Sequence, residues 1–364
     1  MRIRRHLSQH ETAEELPLVT ESAVVTDVSA MDRNRTDEVL TELRATLDEH
    51  GTDAWRRDRP TTDEACEDWL RSQLDEVDHL DGGTPLTRYV SEDDQTGSVG
   101  EKLTALQERY LQPYPSLLRI TVETDDPVEF AAGQYLSLRY QDTTRVYSIA
   151  SSPTRDELEF CVGRVPGGQM TSELAVDLEA GDTVTLRGPY GELLLEEPSP
   201  RDIVFLATGT GAAPLKSMID YLFDTGRDRY EDTVRDIWLV LGGGWKDTLP
   251  YRVAFQSYAD ERDNFHFVPT VSRESYLTEW TGETAYVQHT LAKYLEDGVG
   301  DGQSLPPEFE HHRNTPPRYP IDARLDPSQL EVYACGLNAM VSSLVEAAEQ
   351  LGVPPEHTQF EGFG

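Results

Sequence analysis

The chain has 364 residues and carries 67 acidic against 32 basic side chains, a net charge of −35, with only four lysines: Lys102, Lys216, Lys246 and Lys293. That length exceeds one small domain and points to two or three units, each able to bury a core. The charge repels nucleic acid and anionic lipid at ordinary salt, and excess carboxylate with so little lysine fits a halophilic, salt-rich cytoplasm, where molar salt shortens the Debye length to about 3 Å; an ordinary acidic protein with an acidic tail is the alternative.

Cys66, Cys161 and Cys335 are odd in number and widely spaced, which argues against a disulfide framework and a cysteine-ligated metal or iron–sulfur site. No apolar run reaches the length of a membrane span, and the arginine-rich start lacks the apolar stretch of a signal peptide. A soluble cytoplasmic protein with no metal is the expectation.

In chain order, residues 1–110 read as an acidic extension of unknown role. Helices are predicted near 37–49, 62–80 and 101–110, with Asp81, Gly82 and Gly83 ending the second. No chemical motif stands out there. From about Gln112 the pattern changes to short strands at 117–123, 135–139, 145–150, 158–162 and 183–187, separated by Gly, Pro and Asp and interrupted by one helix at 170–178. That spacing predicts an antiparallel barrel of about six strands over 111–198. Residues 196–201 read as a linker. Continuous apolar strands at 203–207, 237–241, 265–271 and 331–334 then alternate with helices at 215–223 and 339–351. This is the signature of a parallel α/β sheet, over 199–364. Residues 298–328 lack periodicity and read as an inserted loop.

The run Thr208, Gly209, Thr210, Gly211, Ala212, Ala213, Pro214 lies between a buried strand and a helix. Its glycines allow close backbone approach, the helix start presents free N–H groups to a pyrophosphate, and Pro214 suits a first helical turn. Pro214 stands where a GxGxxG fingerprint has its third glycine. A plain strand-to-helix connection is the structural alternative.

Several runs in order resemble the ferredoxin–NADP(+) reductase superfamily. They are Gly133-Gln-Tyr135, Arg145-Val-Tyr-Ser-Ile-Ala-Ser151, Gly168-Gln-Met-Thr171 with Leu174, Gly188-Pro-Tyr-Gly191, Gly209-Thr-Gly211 and Cys335-Gly336. The resemblance covers about residues 112–364. It implies an antiparallel six-stranded FAD-binding β-barrel followed by a parallel α/β NAD(P)-binding domain. In that resemblance Arg145 pairs with the FAD pyrophosphate, Tyr147 packs against the flavin and Ser148 bonds near its hydride-accepting nitrogen. Gly168, Met170 and Thr171 meet the pyrophosphate at a helix start. Thr208, Gly209, Thr210, Gly211 and Pro214 hold the dinucleotide. Cys335 and Gly336 lie by the nicotinamide, Glu361 is a positioning carboxylate, and Phe363 stacks on the flavin until nicotinamide displaces it.

Ser272 and Arg273 follow a strand where NADP-using relatives hold the 2′-phosphate, so NADP(H) is favoured over NAD(H). Two departures from the family pattern bear on this. Glu283 stands near a second basic position, and Gly242-Gly-Gly-Trp245 carries no arginine. The implied catalytic set is Ser148, Cys335, Glu361 and Phe363. The implied activity is hydride transfer between NAD(P)H and flavin, with electrons passed on to a separate acceptor, a ferredoxin or another one-electron carrier. A flavin or quinone reductase without a protein partner, and a non-catalytic docking subunit, are the alternatives.

Overall fold

The computed structural model describes residues 9–75, 84–297, 299 and 307–363. They fall into two compact units. The larger comprises the chain up to Asp32, Leu117–Ser272 and the chain from Thr281 onward; the smaller comprises Arg33–Ser116 with Arg273–Trp280. Among the described residues no helix is long and apolar enough to cross a membrane.

The larger unit begins with six strands: β1 (Val19–Ala30), β2 (Leu117–Thr124), β3 (Tyr135–Tyr140), β4 (Thr143–Ser148), β5 (Leu158–Gly163) and β6 (Thr183–Tyr190). They pair antiparallel in the order β4-β3-β6-β1-β2-β5. The two edges meet just beyond β4, where Ile149 bridges Phe160 and the Ala150 N–H donates to the Glu159 carbonyl at 2.7 Å. The sheet thereby closes into a barrel and leaves no long edge exposed. Val25, Ile120, Leu136, Phe160 and Leu186 fill it from alternate strand positions, each buried side chain contributing about 1.5–3 kcal/mol. Helix α1 (Gln169–Val176) plugs one end with Met170 and Leu174.

One boundary needs correction. The sequence reading placed residues 1–110 outside the barrel, yet β1 is a central barrel strand between β6 and β2. Only Ala23 and Val25 of β1 are buried, while Val24 points outward among Thr, Glu and Ser, so the stretch lacks the apolar density that marks the other strands. The Met31 N–H donates to the Leu117 carbonyl and the Leu117 N–H to Asp32 Oδ1, which brings the end of β1 back beside the start of β2. Residues 33–116 are therefore an insertion between two paired strands.

Five parallel strands follow: β7 (Asp202–Thr208), β8 (Ile237–Gly243), β9 (Phe265–Val271), β10 (Leu330–Leu337) and β11 (Thr358–Phe363), in the order β9-β8-β7-β10-β11. The first four coincide closely with the predicted strands; β11 was read as a tail. Helices α2 (Ala212–Thr225), α3 (Val287–Ala292), α4 (Pro307–Arg313) and α5 (Asn338–Gln350) belong to this part. Val204, Leu206, Trp238, Val240 and Val332 share one core with Leu344 and Ala348 of α5 and Leu291 of α3. The stretch read as a loop at 298–328 carries α4 among its described residues, and its far end is pinned where Leu325 bridges Leu295.

The smaller unit is helical, with helices at Thr36–His50, Asp63–Asp75 and Ser98–Leu111 close to the predicted ones. The predicted stop at Asp81, Gly82 and Gly83 lies outside the described residues. Leu40, Leu43, Leu47, Leu70, Leu103 and Leu106 are fully buried, and Trp55, Trp69 and Tyr89 pack mutually at 5.5–5.9 Å. Arg35 reaches both carboxylate oxygens of Glu274 at 3.0 Å, with both side chains 1% exposed. Both bonds come from Nη1, and in such a desolvated ion pair losing one partner is costly.

Candidate active site

In the parallel sheet, strand order reverses between β7 and β10. Chains of this class bind ligands outside the carboxyl ends of such neighbouring strands. The turn after β7 is built for close approach. Gly209 has φ +51, and a Cβ on Gly211 would lie 2.2 Å from the Cys335 carbonyl oxygen. A Cβ on Gly336 would lie 2.8 Å from Thr208 Oγ1. Thr208, Gly209, Gly211, Cys335 and Gly336 thus form one backbone layer in which side chains do not fit. Pro214 is buried in the first turn of α2.

Against this layer lies a cavity of about 820 Å³. The barrel contributes Arg145, Tyr147 and Ser148 from β4, Cys161 and Gly163 from β5, and the loop from Val165 into Gly168, Met170 and Thr171. The α/β part contributes Thr210, Leu337, Glu361 and Phe363. Thr210 comes close to the barrel because Gly163 has no side chain: a Cβ there would meet Thr210 Cγ2 at 3.3 Å.

Two features show that the lining fits a flavin dinucleotide. The Tyr147 hydroxyl is buried without a hydrogen-bond partner among the described residues, and burial pushes it up to about 12. Such a group calls for an acceptor or donor from a ligand. At the start of α1, Thr171 Oγ1 accepts from the Val165 N–H at 3.1 Å, folding the loop back over Gly168 and leaving the first helical N–H groups at the cavity. Arg145, an exposed residue, donates to the Thr144 carbonyl at 2.7 Å. Its side chain lies at the same cavity as that helix start.

At the other end β10 and β11 run in register, with Cys335 opposite Glu361, Gly336 opposite Gly362 and Leu337 opposite Phe363. Burial, and then the nearby Glu361, push the Cys335 thiol well above its ordinary value. Cys335 is 0% exposed and is not among the cavity-lining residues, so its thiol does not reach the cavity. Burial also raises the Glu361 carboxyl. A Cβ on Gly191 would lie 3.5 Å from Glu361 Oε1, which places that carboxylate beside the barrel's Gly188–Gly191 turn.

Of the predicted residues, Arg145, Tyr147, Ser148, Gly168, Met170, Thr171, Thr210, Glu361 and Phe363 line one cavity. Thr208, Gly209, Gly211, Pro214, Cys335 and Gly336 lie in or beside the backbone layer and not in this lining, and Ser272 and Arg273 do not line it either. Ser272 borders a separate cavity, and Arg273 forms an ion pair with Glu108 in the helical unit. Cys161, Gly163 and Leu337 also line the cavity, without having been expected from the sequence. Gly163, a glycine closing an apolar strand, was the one with a visible signal.

Comparison with known proteins agrees with this geometry. An oxidoreductase FAD-binding domain model matches residues 113–194, and an oxidoreductase NAD-binding domain model matches 205–346. The chain is 34% identical over 246 residues to protein RfbI of Salmonella typhimurium, covering 68% of this chain and 63% of that one. It is 30% identical over 241 residues to ferredoxin–NADP reductase B of Sorangium cellulosum, covering 64% of this chain and 85% of that one. The structure of the Amycolatopsis cytochrome P450 reductase GcoB matches with a TM-score of 0.58 at 21% identity, covering 96% of this chain and 71% of that one. The chain thus spans less than two thirds of RfbI.

Proposed function

The chain belongs to the ferredoxin–NADP reductase superfamily of flavoproteins, and from that premise we propose that it is an FAD-dependent reductase that takes hydride from NADPH and delivers electrons to a separate one-electron carrier, a ferredoxin being the favoured acceptor. The observation that carries this reading is the convergence of Arg145, Tyr147 and Ser148 with Thr210, Glu361 and Phe363 on one cavity. FAD, when bound, supplies hydride acceptance and single-electron release.

The chain's residues supply alignment. Arg145 and the start of α1 neutralise the pyrophosphate, where a guanidinium fork and helix N–H groups suit phosphate oxygens. Tyr147 donates its buried hydroxyl to the cofactor, and Ser148 offers a hydroxyl one residue further along β4. The Gly209–Gly211 turn admits the dinucleotide backbone. Phe363, at the end of β11, covers the flavin face and yields to nicotinamide. Glu361 and the bulk of Cys335 hold the nicotinamide end in place; positioning of this kind supplies much of the rate of a transfer that needs no covalent intermediate.

The test is an absorbance spectrum of the purified protein followed by anaerobic addition of NADPH and of NADH. A flavin spectrum bleached by NADPH at lower concentration than by NADH supports the reading. A colourless protein, or a flavin that neither dinucleotide bleaches, overturns it.

A further inference from the structure

Helix α2, which follows the Gly209–Gly211 turn, lies along the barrel as well as the sheet. Thr210 meets Gly163 of β5, and six residues further along the chain Lys216 meets Glu159, four residues back on the same strand. Lys216 Nζ donates to Asp220 Oδ2 at 2.8 Å and to the Ala150 carbonyl at 3.3 Å, and lies 3.6 Å from Glu159 Oε1. Beside it Ser217, fully buried, donates from Oγ to the Ser151 carbonyl at 2.7 Å. Two turns further on, Asp224 accepts from the Thr154 hydroxyl and from Arg155. Lys216, Asp220 and Asp224 recur every four residues, so they share one face of α2.

A lysine at this seam stands out. The chain has only four lysines against 67 acidic side chains. This one is 13% exposed and sits between two carboxylates, Asp220 at 10% and Glu159 at 17%. A compact ammonium with three donors can serve three acceptors in different directions, which a planar guanidinium cannot. Asp220 is held from its other side by Tyr258 of the helix Arg252–Glu261, whose hydroxyl donates to it at 2.8 Å. Lys216 Nζ also lies 5.1 Å from the centroid of the Tyr251 ring. Tyr251 is buried and has φ +56, a left-handed value that residues other than glycine rarely take, so the loop after β8 bends sharply to bring this ring in. Lys216 thus joins four pieces: β5, the segment leaving β4, α2 and the loop after β8.

We propose that Lys216 is a positioning residue for hydride transfer: it fixes the turn that takes the dinucleotide relative to the strand end that carries Ser148, so that nicotinamide and flavin meet at reacting distance. This rests on the reductase reading above. The levers are short. Gly211 and Lys216 are five helical residues apart, about 7.5 Å, and Ser148 and Ala150 are joined by at most about 7 Å of chain. Reacting atoms must come within about 3–3.5 Å, and a misplacement of about 1 Å can cost roughly a hundredfold in rate. Lys216 does not line the cavity, so it acts through the groups it holds. Loosening this tie moves the place where nicotinamide lands and leaves each cofactor's own contacts intact.

The experiment mixes NADPH rapidly and anaerobically with the native protein, K216Q, K216R and S217A, each loaded with FAD. In K216Q, flavin bleaching at saturating NADPH should slow about tenfold to a hundredfold. Its KM for NADPH and its flavin content should stay near native, the split expected when an interaction serves alignment rather than ground-state binding. The long-wavelength absorbance of nicotinamide stacked on flavin should weaken with the rate. K216R, which keeps charge and reach, should recover most of both. S217A removes the neighbouring bond and no charge; it should slow bleaching by a smaller factor, and it carries the test if K216Q loses its flavin. A lysine that served stability alone would lower the Tm of K216Q and leave the loaded protein bleaching at the native rate with its stacking absorbance intact. That result would overturn the proposal, as would a native rate in S217A where K216Q holds no flavin, or a K216R protein with native Tm and the K216Q rate. If the native flavin is bleached by NADPH in such a case, the reductase reading stands and only this assignment falls. A native flavin that NADPH does not bleach removes both.

Discussion

Cys335 and Glu361 face each other in register across β10 and β11, the thiol fully buried and the carboxylate at the cavity wall. The pairing places Glu361, at the cavity wall, on the sheet's last strand. Burial raises the Glu361 carboxyl, so its charge opposes folding. The proton-linked stability is fully present below the unfolded carboxylate value and is lost as pH rises through the higher folded value. Glu361→Gln should match or exceed the native Tm at pH 8, with the gap closing toward pH 4–5, as followed by thermal unfolding. Hydride transfer should nevertheless slow in this variant, seen as slower flavin bleaching at saturating NADPH.

Gly211→Ala puts a methyl group 2.2 Å from the Cys335 carbonyl, a backbone atom that cannot turn aside. The expected cost is about 1–3 kcal/mol in urea unfolding. Dinucleotide affinity should fall while the flavin stays bound, because the Gly211 contact lies on the β7–β10 side and not in the barrel.

Deleting Phe363 and Gly364 removes the aromatic at the end of β11 from the cavity wall. Binding of NADP(+) should tighten about tenfold or more, measured by difference absorbance of the flavin, because nicotinamide no longer displaces a ring. Unchanged affinity would show that Phe363 does not cover the flavin.

Arg273→Ala removes one half of a pair whose side chains are 41% and 53% exposed. Surface pairs of this kind contribute about 0–1 kcal/mol. Because Arg273 is committed to Glu108 and does not line the cavity, the KM for NADPH should change less than about threefold. A loss of about tenfold or more would place the 2′-phosphate at Arg273.

A net charge of −35 repels itself at low ionic strength. Raising salt from roughly 0.1 M to 1 M, which shortens screening from about 10 Å to about 3 Å, should raise the Tm. Thermal scans in potassium chloride read this directly, and a Tm that falls with salt would argue against adaptation to a salt-rich cytoplasm.

The two sheet types are legible from residue order alone, because a strand's periodicity is local: continuous apolar runs at β7, β8 and β10 mark strands covered on both faces, and closely spaced short strands mark a barrel. The sequence also marked Arg145–Ser148 and Gly168–Thr171 as candidate site runs through the family resemblance, and both runs line the same cavity. Tertiary structure decided what depends on distant partners. β1, with only Ala23 and Val25 buried, is a strand because β6 and β2 offer it two ladders of hydrogen bonds. β11 is a strand because β10 does the same on one side. Arg273 had the chemistry expected of a phosphate ligand, but an ion pair with Glu108, 165 residues away in sequence, holds it in the helical unit.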